Sequence, residues 1–288
     1  MKGRLMVMVG AVAAAAGAMI AFPPVTLAQA TAAGPGVIIS VSGSATISTE
    51  GMPAGGEIWA EWYSLPPGNA VDDSGTAAKW AYVETTIRGS AIVSGDPGPM
   101  CHYLSAGGVP ADRSERVADP GDVEVCNYAN LPGARTENRG SEPYVFAGLA
   151  VGGPWVEGME DSAEQYVKAN GLAKAAQVNS SEFREAEKEI LKSGAMTVMI
   201  RNVTLPPGGR ILTKDRYPTL RMVESGQLSL GVVPEGSDPA AASKTLATFD
   251  IMEWAPAEAG KQIVLANRGS QPTQFVEWVV APAQGAGP

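Results

Sequence analysis

The chain has 288 residues and a formal charge of −9, with 18% charged and 6% aromatic residues but 34 glycines and 22 prolines. Such acidity argues against a nucleic-acid partner, whose phosphates need a basic surface, and against docking on anionic lipid headgroups. The glycine and proline content suits short strands joined by tight turns rather than a helical bundle.

The first residues, Met1-Lys-Gly-Arg4, precede an apolar run from Leu5 to Phe22 and a small-x-small site at Ala28-Gln29-Ala30. These are the parts of a secretory signal, so residues 1–30 read as a signal peptide cleaved after Ala30, and the mature chain as periplasmic or secreted. A retained anchor is the alternative, and only then is a membrane a partner; the run is short for a span and rich in Ala, Gly and Met. Loss of Lys2 and Arg4 takes the formal charge from −9 to −11 and leaves 288 less 30 residues, enough for two medium domains.

Residues 31–36 read as a small, flexible leader. From Val37 to Ile47, apolar residues alternate with Ser and Thr, as in a half-buried strand. Glu57–Tyr63 alternates again and ends in the turn Leu65-Pro-Pro-Gly68; Ala81–Val93 is a further β-rich stretch, and Cys101–Leu104 a short strand. The polar residues 105–118, with Asp112, Arg113, Glu115 and Arg116, read as a surface loop. Asp119-Pro-Gly-Asp122 turns the chain into Val123–Cys126, and a strand from Tyr144 to Val151 closes this half. Short strands at this spacing indicate a β-sandwich or barrel. Composition then changes: Ser162–Ala169 and Ser181–Lys192 read as helices, each stopped near a glycine. Strands return at Met196–Thr204, Thr219–Val233, Ala247–Trp254 and Gln262–Leu265, and the last one ends at Val280.

Two blocks occur twice, in the same order. Leu65-Pro-Pro-Gly68 with Val83-Glu84 recurs as Leu205-Pro-Pro-Gly208 with Val223-Glu224, and Asn138-Arg-Gly-Ser141 recurs as Asn267-Arg-Gly-Ser270. Ordered duplication indicates one fold used twice. These blocks resemble the motifs of the cupin family, in its two-domain, bicupin form. Gly121-Asp122, Pro132-Gly133, Asn138-Arg-Gly140 and Pro143 match its second motif; Asn267-Arg-Gly269 and Pro272 match it again, without a clear Gly-Asp. The resemblance implies a mainly β protein with a cupin-like barrel at 37–155, a helical linker at 156–194 and a second barrel at 195–283. It also exposes a departure. Metal-binding cupins carry several histidines, and the second-motif position four before the Asn is Ala134 in one copy and Ile263 in the other; the whole chain has one histidine. The motifs are therefore degenerate, a transition metal held by several imidazoles is excluded, and no cofactor is expected.

Cys101 and Cys126 are the only cysteines, and in an exported protein such a pair reads as a disulfide, the alternative being two buried thiols. Its closure would stabilise the fold by roughly 3–4 kcal/mol on the chain-entropy estimate. His102 reads as a polar neighbour of that pair rather than a base. Asp72, Asp73 and Glu84 are oxygen donors of the kind a hard cation takes, although Asp-Asp-Ser-Gly is also an ordinary turn. Glu84 and Glu224 follow the two turn blocks at equal spacing and so read as equivalent; if buried they need partners such as Arg88, Arg135 or Arg221. Asp72, Asp73, Tyr82, Glu84, Arg88, Arg135, Arg221 and Glu224 are the candidate ligand-binding residues, and no catalytic residue is identified. The leading expectation is a metal-free, non-catalytic protein that binds a small polar ligand or a protein partner, with oligomers possible. The alternatives are a metal-independent enzyme on a small polar or sugar substrate, or an accessory subunit of an envelope complex.

Overall fold

The computed structural model describes residues 30–48, 57–72, 81–94, 101–105, 109–111, 115–126, 135–152, 176–178, 190–214, 217–237, 244–254 and 259–283. The chain opens with β1 (Ala30–Ala33) and β2 (Ile38–Ser48). The first half continues with β3 (Glu57–Leu65), β4 (Ala70–Asp72), β5 (Ala81–Arg88), β6 (Ala91–Ser94), β7 (Cys101–Ser105), β8 (Val109–Ala111), β9 (Glu115–Ala118), β10 (Val123–Cys126), β11 (Arg135–Glu137) and β12 (Tyr144–Gly152). After β13 (Ala176–Val178) come β14 (Ala195–Leu205), β15 (Arg210–Thr213), β16 (Thr219–Ser225), β17 (Leu228–Pro234), β18 (Lys244–Leu246), β19 (Ile251–Trp254), β20 (Lys261–Ala266) and β21 (Thr273–Pro282).

Strand pairing is antiparallel throughout and repeats itself. The first half builds the sheets β3-β12-β5-β10 and β4-β11-β6-β9; the second builds β14-β21-β16-β19 and β15-β20-β17-β18. This is the same eight-strand jelly roll twice. Alternating side chains fill each barrel. Leu65, Tyr103 and Tyr144 of one sheet meet Val71, Ala91, Val93 and Ala118 of the other in the first barrel. Val203, Leu205, Val223 and Phe275 meet Ile211, Leu228, Leu230, Leu246 and Leu265 in the second.

The duplicated blocks recur together because they touch. Asn138, fully buried, donates from Nδ2 to the Leu65 and Glu142 carbonyls, both at 2.8 Å, and accepts from Gly140 N–H at 2.9 Å. Gly68 N–H reaches back to the Asn138 carbonyl at 2.8 Å. Asn267 does the same with the Leu205 carbonyl at 2.9 Å, the Gln271 carbonyl at 2.7 Å and Gly269 N–H at 2.8 Å, and Gly208 N–H meets the Asn267 carbonyl. The blocks are clamps between two turns, so they encode architecture.

Barrel membership departs from the expected boundaries. β2 pairs with β14 along its length and β1 pairs with β15, so residues 30–48 belong to the sheets of the second barrel. Residues 31–36 are thus no leader, and 37–48 are not part of the first barrel. Reciprocally, β13, inside the expected linker, pairs with β3 and extends a sheet of the first barrel. Most of the expected linker, including both helical patterns apart from Ile190–Lys192, lies outside the described residues, as do residues 1–29 with the apolar run. Among the described residues, no helix is long and apolar enough to cross a membrane. The expected loop at 105–118 contains the strands β8 and β9, which prolong one sheet and edge another.

The barrels meet sheet to sheet. Ile58, Trp62, Val83, Val125, Ala147 and Leu149 of the first form one apolar cluster with Met196, Val198, Ile200, Leu220, Met222 and Trp278 of the second. The outward residues of these strands are as apolar as the inward ones, which is why the simple alternation breaks down there.

Candidate functional site

Register fixes which residues share a level inside each barrel. In the first barrel, one transverse register row runs Glu61, Gly148, Glu84, Glu124, Tyr103 across β3, β12, β5, β10 and β7. The matching row of the second barrel runs Arg201, Glu277, Arg221 across β14, β21 and β16. Glu61, Gly148 and Glu84 thus correspond to Arg201, Glu277 and Arg221, and Glu124 to Met252 on β19.

In the first barrel, Glu124 is held from both sides. Tyr82 donates its hydroxyl to Oε1 at 3.0 Å, and Arg116 Nη2 reaches Oε2 at 3.3 Å. The Arg116 guanidinium also lies 3.4 Å over the centre of the Tyr103 ring, a cation–π contact. Burial, with the negative charge of Glu124 next in effect, pushes the Tyr82 and Tyr103 hydroxyls well above their usual range; burial does the same to Tyr144, so all three remain protonated donors. Tyr144 Oη and Thr86 Oγ1 are 3.0 Å apart. Glu84 lies across Gly148, where an added Cβ would come within 2.6 Å of the Glu84 Cγ. Glu84, Thr86, Arg116, Asp122, Glu124 and Tyr144 wall a recess that leaves about 10 Å³ for a solvent centre, room for a single water.

In the second barrel the Glu277 carboxylate is shared: Arg221 Nε donates to Oε1 at 2.6 Å, and Arg201 Nη2 to Oε2 at 2.7 Å. All three residues are buried. Two guanidiniums at this level repel a cation, and Arg116 already neutralises Glu124 in the other barrel. Among the described residues, no group of three His, Cys, Asp or Glu is placed to hold a metal ion. The donor set, carboxylates already engaged by arginines and no imidazole, does not fit the metal that the resemblance to cupins implies.

The candidate residues named from sequence are not one site. Tyr82 and Glu84 face the first interior, Arg221 the second, and Arg135 is exposed on β11 opposite Asp72 of β4. Asp73 lies outside the described residues, and so does the Asp72 side chain. Arg88 and Glu224 lie between the barrels, where Arg88 Nη2 donates to the Glu224 carbonyl at 3.4 Å. The expected equivalence of Glu84 and Glu224 is wrong. The hairpin glycines Gly89 and Gly226 are 137 apart and the turn blocks 140 apart, so the counterpart of Glu84 is Arg221. Glu224 sits instead at a β-bulge, between the pairs Val223–Phe275 and Ser225–Gln274. Cys101 stands opposite Cys126 on the neighbouring strands β7 and β10, and His102 opposite Val125.

Sequence reasoning missed Arg116, Glu124, Arg201 and Glu277, whose signal was available in strand parity. It also missed Phe249. The Gly-Asp turn is present in both copies: Gly121 N–H bonds the Thr86 carbonyl, Phe249 N–H bonds the Val223 carbonyl, and Asp122 and Asp250 each accept from the backbone three residues back. Phe249 takes the left-handed position, φ 67°, that Gly121 occupies with φ 91°. Its ring stacks on Trp62 of the first barrel, centroids 4.9 Å apart, and the Arg88 guanidinium lies 5.4 Å from its centre.

No protein-family model matches the chain, and no curated protein does. Among solved structures, the chain is similar to oxalate decarboxylase from Bacillus subtilis at 14% identity and a TM-score of 0.45, covering 83% of this chain and 74% of that one. It is also similar to the Lactobacillus farciminis oxalate decarboxylase formate complex at 14% identity and a TM-score of 0.43, covering 83% and 81%. The likeness is one of fold alone; the strand order itself gives two eight-stranded jelly rolls in one chain.

Proposed function

We propose that this is an exported, non-catalytic bicupin that acts by binding a protein partner on its outer surface. The observation behind this reading is that the chain's own charges engage one another at the matching level of both barrels, Arg116 on Glu124 and Arg201 and Arg221 on Glu277. A carboxylate held by a tyrosine and an arginine is a weak general base, and the recess beside it has room for about one water. Export accounts for the signal-like start and for the two cysteines. Residues opposed across antiparallel strands have Cα spacings of about 4.5–5.5 Å, within disulfide range, so we take Cys101 and Cys126 to be bridged.

Native mass spectrometry of the protein from its own host tests this reading. The expected result is a mature chain beginning after Ala30, two hydrogens lighter than its reduced form, carrying a protein partner but no stoichiometric metal or organic acid. Binding of Mn²⁺ or a small dicarboxylate, seen as a thermal shift that Glu124→Gln or Arg221→Gln removes, would overturn it; a ligand at about a hundred times its Kd stabilises by about 2.7 kcal/mol.

A further inference from the structure

The four sheets have eight edges, and seven are strands of three or four residues: β1, β4, β8, β9, β13, β18 and β19. Several also carry the features that blunt an edge, such as Pro110 in β8, Glu115 and Arg116 in β9, Lys244 in β18 and Glu253 in β19. The eighth edge, β2, differs in length and in the large apolar side chains it exposes. It has 11 residues, Ile-Ile-Ser-Val-Ser-Gly-Ser-Ala-Thr-Ile-Ser, with no charge and no proline, and it pairs only with β14 among the described strands. Its second half is covered, with Ala45 and Ile47 in the cluster between the barrels. Its first half is not: Ile38 is 62% exposed, Ile39 39% and Val41 57%, three of the five large apolar side chains that are exposed in the described protein. They lie on both faces of one strand, so no single fold of the edge against its own sheet would bury them all.

We infer that the Ile38–Val41 segment of β2 is a self-association surface, pairing antiparallel with β2 of a second copy to join two five-stranded sheets across a two-fold axis. The occupant follows from charge. Two copies, each at −9 with the signal-like segment and −11 without it, repel one another over most of their surface and approach best where neither carries charge. An uncharged strand also offers a foreign partner nothing electrostatic to select it by, whereas an antiparallel edge is complementary to itself. Exposed Ser40 and the apolar residues beside it would then face their own copies across the ladder. The dimer does not depend on whether either barrel binds anything.

The test is the oligomeric state of the mature exported protein, by native mass spectrometry and light scattering at micromolar concentration, in parallel with Val41→Lys, Ile38→Lys and Val232→Lys. All three positions are exposed, so each variant folds, as circular dichroism would report. A dimer is expected for the parent and for Val232→Lys, whose residue lies on β17 away from β2; like charges opposed across the axis should raise the dimer Kd at least tenfold in the β2 variants. A monomeric parent overturns the inference, whether or not another protein binds β2. So does a dimer that Val41→Lys and Ile38→Lys leave intact.

Discussion

The two barrels share a strand order, a turn clamp and a Gly-Asp-type turn, yet at one matching level they hold opposite charges. Where the first has Glu84 lying over Gly148, the second has Arg221 bonded to Glu277. Where the first has Glu61, the second has Arg201. The cores around these rows differ to match. Small Ala91 and Ala118 stand with Tyr144 in the first barrel; Leu228, Leu246 and Thr273 take those places in the second. What was kept is the hydrogen bonding that shapes the backbone, and what diverged is the side chains it carries inside.

The sharpest way to break the comparison is to remove the shared acid of each row. Glu277→Gln leaves two buried guanidiniums without their carboxylate and should cost about 3–5 kcal/mol. Glu124→Gln should cost less, about 1.5–3 kcal/mol, because the Arg116 guanidinium keeps its stack on Tyr103. Urea unfolding of both variants measures this; equal losses would mean that the opposite charges make no energetic difference.

The clamps should behave alike instead. Asn138→Ala and Asn267→Ala each remove three hydrogen bonds and orphan a buried leucine carbonyl, at about 2–4 kcal/mol. Losses differing by more than about 1 kcal/mol would show that the equal geometry hides unequal strain.

A smaller effect isolates the turn. Phe249 sits where its counterpart is glycine, and a non-glycine residue there costs about 1–2 kcal/mol. Phe249→Ala loses the ring and keeps the strain, while Phe249→Gly loses both. The glycine variant should therefore be more stable than the alanine variant by about 1 kcal/mol on thermal unfolding. The reverse order would mean that the left-handed turn is unstrained.

These positions also explain what could be read from the sequence. The duplication was legible because the clamp needs an Asn and glycines at fixed offsets, and the jelly roll followed from it. The strand exchange was not, because β2 alternates in the same way whichever barrel it joins. Phe249 concealed the second Gly-Asp turn, since only the aspartate and the backbone bonds survive there. The Val-Glu repeat misled for a related reason: three residues are lost between turn and hairpin, so like letters at like spacing fall on a bulge in one copy and on the inner face in the other. The charged rows inside the barrels could not be assembled from sequence because each draws its members from strands far apart in the chain.

The last asymmetry lies between the barrels. Burial pushes the Glu224 carboxyl up to about 7 from an ordinary 4.5, against the opposing pull of Arg88. A raised folded value means that the contribution to stability is complete below about 4.5 and is lost as the pH rises through about 7. No such carboxyl stands at the corresponding bulge of the first barrel, where Ile87 packs against the shared apolar cluster. Melting temperatures from pH 4.5 to 8 should therefore fall more steeply in the parent than in Glu224→Gln, which mimics the protonated form, and the two curves should separate across pH 5 to 7. A flat difference between them would mean that Glu224 is hydrated and ionised throughout, and that the seam between the barrels carries no pH dependence of its own.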